Sequence, residues 1–280
     1  MPDKYSAVWV SHSSMGDFLK CPRAYFLHNV YKNPKTGCKI AEVSPALSLG
    51  LAVHEALENL KHLPVAERFT RDLFLDYDEA WKKVSGKRGG FRSAEEEAVS
   101  KERGRAMVER VIKNPGPIGR KTVNIKGGDN GMPPNFYLSE AENIILCGLI
   151  DWLEYVEVDN SIRVIDFKTG KHEETEGSLQ LPIYLLLLGA LQKRKVSGAA
   201  YWYLDWSDEL QEVALPDPES ARRQVLEVAM RVKEARVKKE FVCPRGAEGC
   251  FACRPFEMIL KDEAELVGNS GRQELYAVRR

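Results

Sequence analysis

The sequence predicts an α/β fold, a mixed central sheet flanked by helices with a helical insertion, in one domain spanning residues 1–280. Three observations carry this expectation. NFYLSEAE, NIILCGLIDWLEYVEV and SIRVIDFK are short apolar or alternating runs separated by polar turns, which is the pattern of consecutive strands. An apolar helix from Ser178 to about Arg194 follows them, with Pro182 tolerable only in its first turn, and VSGAAYWYLDW then reads as another strand. Asp217-Pro218 opens a long charged helix reaching roughly Lys239, aspartate as cap and proline at the first helical position.

Ahead of the strands, VSHSSMGDFLKCPRAYFLHNVY sets serines before an apolar-periodic stretch, with Phe18, Leu19, Tyr25 and Phe26 as core candidates and Cys21 within it. A second helix runs from about Pro45 to Leu60, where Leu47, Leu51, His54 and Leu57 recur at helical spacing, so a histidine shares the apolar stripe. Residues 61–135 are expected to be a mostly helical insertion ending in the Gly- and Pro-rich loop KGGDNGMPP.

Composition narrows the function classes. The hydrophobic fraction of 44% supports a full core, and 41 basic residues balance 41 acidic ones. Overall charge therefore offers a nucleic acid nothing, and contacts with one must come from local runs such as Lys82, Lys83, Lys87, Arg88 and Arg92, or Arg231, Lys233, Arg236, Lys238 and Lys239. No apolar run reaches the roughly 20 residues that span a bilayer, and MPDKYSAVWV lacks the layout of a secretory signal. A cytoplasmic protein with no membrane partner is expected. No GxxxxGK[ST] loop is present, so a helicase motor would have to be a separate partner.

The chemistry concentrates at the strand pair around Asp159-Asn160, a plausible two-residue hairpin turn. If Val158 pairs with Ser161, Asp151 falls opposite Lys168 and diagonal to Asp166. Alternation sets Asp166 and Lys168 on one face, about 6.6–6.8 Å apart along the strand. That face also carries Leu153, Tyr155, Ile162 and Val164. Burying two acids and a lysine against such a wall as a mere ion pair costs several kcal/mol per charge, whereas a divalent cation gives the carboxylates a reason to be there. Mg²⁺ or Mn²⁺ on carboxylate oxygens suits phosphodiester hydrolysis, and the lysine, its pKa lowered by burial, could orient or deprotonate water or steady phosphate charge. A one-residue slip would turn Asp151 to the opposite face.

Of six cysteines, three lie close together in CPRGAEGCFAC, a grouping that points to a metal or cluster rather than to disulfides. Cys21, Cys243, Cys250 and Cys253 would tie the chain ends together, residues 240–256 forming a clasp against the Cys21 region. Four thiolates suit [4Fe–4S], [2Fe–2S] or zinc. Cys147 reads as a small buried hydrophobe, and Cys38 as a bystander or alternative ligand.

GLIDWLEYVEVDNSIRVIDFKTGK followed by SLQLPIYLLLL closely resembles the GxxD, (D/E)xKTG and QxxxY series of RecB-like PD-(D/E)XK nucleases. LGLAVHEALE and SSMGDFLKCPRAYF resemble that family's helical histidine motif and N-terminal cysteine motif. The resemblance implies a restriction-endonuclease-like core and a metal held by His54, Asp151, Asp166 and the backbone carbonyl of Phe167. It implies Lys168 as the catalytic lysine, with Gln180 and Tyr184 contacting phosphate or positioning lysine and water. For the cysteines it implies [4Fe–4S], as in the AddB and CRISPR-adaptation types. In those relatives a close pair precedes the last cysteine, whereas here Cys243 precedes the pair. The implied activity is hydrolysis of DNA at single-stranded ends, in repair, recombination or CRISPR adaptation. The rival readings are a catalytically weak DNA-binding or scaffolding subunit of a helicase–nuclease complex, a zinc-clasped nuclease, and an enzyme acting on RNA or small phosphate esters.

Overall fold

Polar residues with short side chains start the helices. Ser11, Ser44, Asp72, Ser93 and Asp217 each accept a hydrogen bond from a backbone N–H in the first turn that has no partner within its helix. The computed structural model describes residues 3–128, 131–175 and 177–278. In chain order they form β1 (Val8–Val10), α1 (His12–Lys20), α2 (Pro22–Tyr25), β2 (Lys39–Val43), α3 (Pro45–Glu58), α4 (Leu73–Lys82), α5 (Ala94–Lys113), β3 (Asn135–Ser139), β4 (Ile144–Cys147) and β5 (Trp152–Val156). Then come β6 (Ser161–Lys168), α6 (Gln180–Leu191), β7 (Val196–Tyr203), β8 (Gln211–Val213), α7 (Pro218–Lys238), α8 (Arg254–Leu260), β9 (Ala264–Ser270) and β10 (Gln273–Val278).

The mixed α/β class is as the sequence predicts, although the strands divide among three sheets. The central one has the order β5-β6-β7-β8, with β6 and β7 parallel and both outer pairs antiparallel. A second, β1-β4-β3, uses the first two predicted strands. The third, β2-β10-β9, lies beyond any motif: β9 and β10 pair as a hairpin and β10 runs parallel to β2, joining the C-terminal segment to the N-terminal region.

The parallel strand β6 is buried on both faces, so its side chains separate two cores. Ile162 and Val164 face the layer of α6 and α7 with Leu187, Val225 and Ala229. Ile165 and Phe167 face α3, α4 and α5, where Val53, Leu57, Trp81, Met107 and Val108 are buried. The segment expected as an insertion thus contributes core side chains from α4 and α5. Their approach is close at Gly104, where a Cβ would lie 2.2 Å from the Tyr77 hydroxyl.

Two expected apolar stripes shift. On α3 the buried face is Leu49, Ala52, Val53, Ala56 and Leu57, while Leu47 and Leu51 are exposed, because α4 and α5 cover the helix from the side next to the one its leucines suggest. On α1, Phe18 is buried and Leu19 exposed.

Candidate active site

The β5–β6 hairpin closes two residues earlier than a two-residue turn would allow. Val156 pairs with Ser161 and Trp152 with Ile165, leaving residues 157–160 as the turn, with Asn160 at φ 54°. Asp151, just before β5, therefore comes beside Asp166 rather than opposite Lys168. Because the shift is two residues, every side chain keeps its face, and the convergence expected of Asp151, Asp166 and Lys168 survives. Asp151 is fixed by the neighbouring strand: its Oδ2 accepts the Phe167 N–H at 2.8 Å.

Asp166 is 2% exposed and fully engaged. Its Oδ1 accepts from Gln180 Nε2 at 2.7 Å and from the Tyr184 hydroxyl at 2.9 Å, and its Oδ2 lies 2.9 Å from Lys168 Nζ. Gln180 and Tyr184 sit one turn apart on α6 and share a further 3.1 Å hydrogen bond, so the helix presents both to the same carboxylate. Lys168 also donates to Gln180 Oε1 and Glu174 Oε2, each at 2.6 Å.

Burial and the nearby Asp151 charge raise the Asp166 pKa to about 6, against the opposing pull of Lys168 and Tyr184. Burial opposes the Lys168 ammonium too, but Asp166 and Glu174 outweigh it and raise the pKa. The lowered lysine pKa expected from the sequence is therefore not what this arrangement produces: Lys168 is a charged donor. Tyr184 is held well above its ordinary pKa by burial and stays a phenol.

On the other side of Asp151, His54 Nδ1 lies 3.0 Å from Glu58 Oε1 and 3.6 Å from Asp151 Oδ1. Burial disfavours the imidazolium, but the two carboxylates prevail and hold its pKa at about 10. The ligand atoms of His54, Glu58 and Asp151 fall within 4.8 Å of one another, a nitrogen-and-oxygen set that suits a hard divalent ion. Phe167 lies between the two halves of the site, its ring 6.1 Å from that of His54.

Glu58, Glu174 and His12 were not singled out in the sequence. Glu58 was readable, since HEALE puts an acid one turn after the histidine. Glu174 belongs to a loop no motif marks. His12, at the start of α1, feels the charges of Lys168 and Glu174, and burial lowers its pKa.

Half of the ten residues in the basic runs are paired with acids of the chain. Lys82 pairs with Glu79, Lys83 with Glu55, Lys87 with Glu265, Lys233 with Glu142 and Lys238 with Glu234.

At the far end of α7, Cys21, Cys243, Cys250 and Cys253 converge, all buried, with sulfurs within 4.8 Å of one another. Cys21 reaches this corner because it sits between α1 and α2, where its thiol accepts the Ala24 N–H at 3.5 Å. Arg23 bonds Glu257 at 2.6 Å and pins α2 to α8. Cys253 lies 3.7 Å from Cys243 and 3.8 Å from Cys250. A tetrahedral ion with bonds of about 2.3 Å has sulfur–sulfur edges of about 3.8 Å, which the two edges at Cys253 match. In a cubane each thiolate binds a different iron, and the sulfurs would have to spread. Cys38 and Cys147 stand apart and half-buried, Cys147 bonding the Val10 carbonyl at 3.5 Å rather than lying in the core.

Among the described residues no helix is long and apolar enough to cross a membrane. A search of curated proteins found no match. The family model described as the PD-(D/E)XK nuclease superfamily matches residues 9–256, a span that takes in α3, both strands of the acidic hairpin, α6 and all four clustered cysteines. With its two aspartates and lysine converging at one end of that hairpin, the chain belongs to the PD-(D/E)XK nuclease superfamily.

Proposed function

We propose that the chain acts as one nuclease domain, a Mg²⁺- or Mn²⁺-dependent deoxyribonuclease that hydrolyses phosphodiesters at single-stranded DNA ends. The observation that supports this reading is the pair of acid groups at the end of β6, His54 beside Asp151 and Lys168 beside Asp166, with Asp151 bound to the Phe167 N–H between them. His54, Asp151, Asp166 and the Phe167 carbonyl would hold the ion, with Glu58 completing or orienting the set. The ion supplies charge neutralisation and a more acidic water. Lys168, kept protonated by Asp166 and Glu174, steadies the charge on the scissile phosphate and hydrogen-bonds the attacking water. Gln180 and Tyr184 hold Asp166 from the helix side and orient Lys168.

The four thiolates are proposed to hold [4Fe–4S], by resemblance to the AddB and CRISPR-adaptation nucleases, with zinc as the alternative that the short sulfur edges favour. The setting proposed is the cytoplasm, in repair, recombination or CRISPR adaptation, with a helicase or recombination protein as partner.

A second reading, a DNA-binding subunit with little turnover, draws on the closed hydrogen-bond network in which Asp166 and Lys168 already satisfy each other. Single-turnover cleavage of labelled single-stranded DNA in Mn²⁺ separates the two, comparing wild type with Asp166→Ala and Lys168→Ala. Loss in both variants is expected; equal cleavage by all three proteins would mean a contaminant or a different site. Substrates blocked at one end report the polarity, and an RNA of the same sequence reports the sugar preference.

A further inference from the structure

The face of β7 that looks toward Asp166 and Lys168 is aromatic, and its stack continues out of the core. Lys168 Nζ lies 4.8 Å from the centre of the Tyr201 ring. Tyr201 meets Tyr203 edge-on at 6.1 Å, and Tyr203 stacks on Trp206 at 4.7 Å with the rings 18° from parallel. Tyr203 is 1% exposed, whereas Trp206, its stacking partner, is 47% exposed. A ring with one face covered and half its surface open turns its other face to solvent. The position is fixed, because the Trp206 N–H bonds the Tyr203 carbonyl at 3.2 Å in the turn that ends β7. The Tyr203 hydroxyl in turn accepts the Glu174 N–H at 2.9 Å, and Glu174 holds Lys168.

Among the described residues Trp206 is the only exposed tryptophan, and a flat ring held on a turn is a surface that another flat ring can cover. Nothing polar is needed to explain its stacking on Tyr203. Its outer face matches what unpaired bases seek, because every base has a flat face that stacks on an aromatic ring regardless of sequence. In a duplex that face is already covered by its neighbour. The indole is also joined through Tyr203 and Glu174 to the lysine assigned to the scissile phosphate. The geometry points to Trp206 as a stacking platform for an unpaired base of the bound strand, close to the phosphate engaged by Lys168. This assignment rests on the nuclease reading above and deepens it by naming the residue that takes the unpaired base: a strand must be single, or frayed, at this position to be held.

Binding of a fluorescein-labelled oligothymidylate in Ca²⁺ tests the platform, with strand integrity checked on a gel and folding followed by thermal melting. The oligonucleotide should quench the tryptophan emission of the wild type. Trp206→Ala and Trp206→Leu should bind about tenfold more weakly, while Trp206→Phe should keep most of the affinity and lose most of the quench. In Mn²⁺ the alanine variant should show a raised KM with a smaller change in kcat. Affinity within twofold of wild type in both Trp206→Ala and Trp206→Leu, or a quench that persists in Trp206→Phe, would overturn the platform. A wild type that cuts no strand yet shows the Trp206-dependent quench sinks the nuclease reading alone. A wild type that cuts while ignoring the Trp206 substitutions sinks the platform alone.

Discussion

The two clusters of candidate metal ligands are built on opposite principles. At the end of β6 the ligating groups are oxygen and nitrogen, and each has a protein partner: Asp166 has Gln180, Tyr184 and Lys168, Asp151 has the Phe167 N–H, and His54 has Glu58. At the cysteine corner the groups are thiols, which are weak donors and weaker acceptors, held among Ala24, Ala252 and one another. The first cluster keeps its shape through its own charges, and an ion there adds chemistry. The second is braced from outside by the Arg23–Glu257 pair, and a metal there would add structure. Even the thiol acidities diverge: burial pushes Cys21 up to about 12, while the Cys253 and Ala252 N–H groups overcome burial at Cys250 and bring it down to about 7.

The largest effect should come from removing the charge that the first cluster is built around. Lys168→Ala leaves Asp166 and Glu174 without their common ammonium, and should lower single-turnover cleavage roughly 10³-fold, about 4 kcal/mol of transition-state stabilisation. Because α6 and the hairpin also pack through Ile162, Val164 and Leu187, the fold should persist, with a melting temperature lowered by the buried acid left unpaired. Cleavage unchanged, or collapse of the fold, would break the contrast from this side.

Cys253→Ser probes the other side. It should release the bound metal and lower the melting temperature by roughly 10 °C, on the order of 3 kcal/mol, since the corner joins α2, the segment after α7 and α8. Metal analysis and a visible spectrum of anaerobically purified wild type show which metal is lost. One zinc and no absorption band fit the 3.7 and 3.8 Å sulfur spacings, and iron with sulfide in equal amounts requires the corner to open. A colourless, iron- and zinc-free protein with an unchanged melting curve would mean that the thiols hold nothing.

The same contrast explains what could be read from the sequence. The acidic site was legible because alternation along a strand survives an error of two residues in register: the hairpin pairs Val156, not Val158, with Ser161, yet Lys168 pairs with Asp166 and Asp166 feels the Asp151 charge. The cysteine corner was legible because its residue type is rare and grouped. What failed was whatever depends on lateral packing. Leu47 and Leu51 are exposed since periodicity gives a stripe without saying which neighbour will cover it. The spacing of Glu58 from His54 is visible in the sequence, whereas Glu174 and His12 enter through tertiary contacts that no local pattern encodes. The β9–β10 hairpin and its parallel partner β2 depend on pairing across almost the whole chain.

Glu58 sharpens the comparison within the first cluster. If it orients His54 as the 3.0 Å contact indicates, Glu58→Gln should weaken Mn²⁺ binding about 10–100-fold while sparing the cysteine-bound metal. Calorimetric titration of the metal-free protein with Mn²⁺ measures this. Unchanged affinity would make Glu58 a surface partner only.

The last effect is a pH dependence at the first cluster, read as the difference that Asp166→Asn makes to it. In the absence of divalent ions the folded protein binds a proton at Asp166 more tightly than the unfolded chain does, so the stability this group contributes is lost as pH rises from its ordinary value of 3.8 through about 6. His54 has the same sign: its contribution is complete below 6.5 and is lost as pH climbs through about 10. Melting temperature in chelator should therefore fall between pH 5 and pH 9 from these groups, and Asp166→Asn should flatten the lower part of the curve. Mn²⁺, which neutralises the ionised carboxylates, should flatten it as well. A wild-type curve that Asp166→Asn and Mn²⁺ both leave unaltered would show that the acidic cluster carries no electrostatic strain, and the distinction between a site that awaits an ion for chemistry and one that needs it for structure would lose its physical basis.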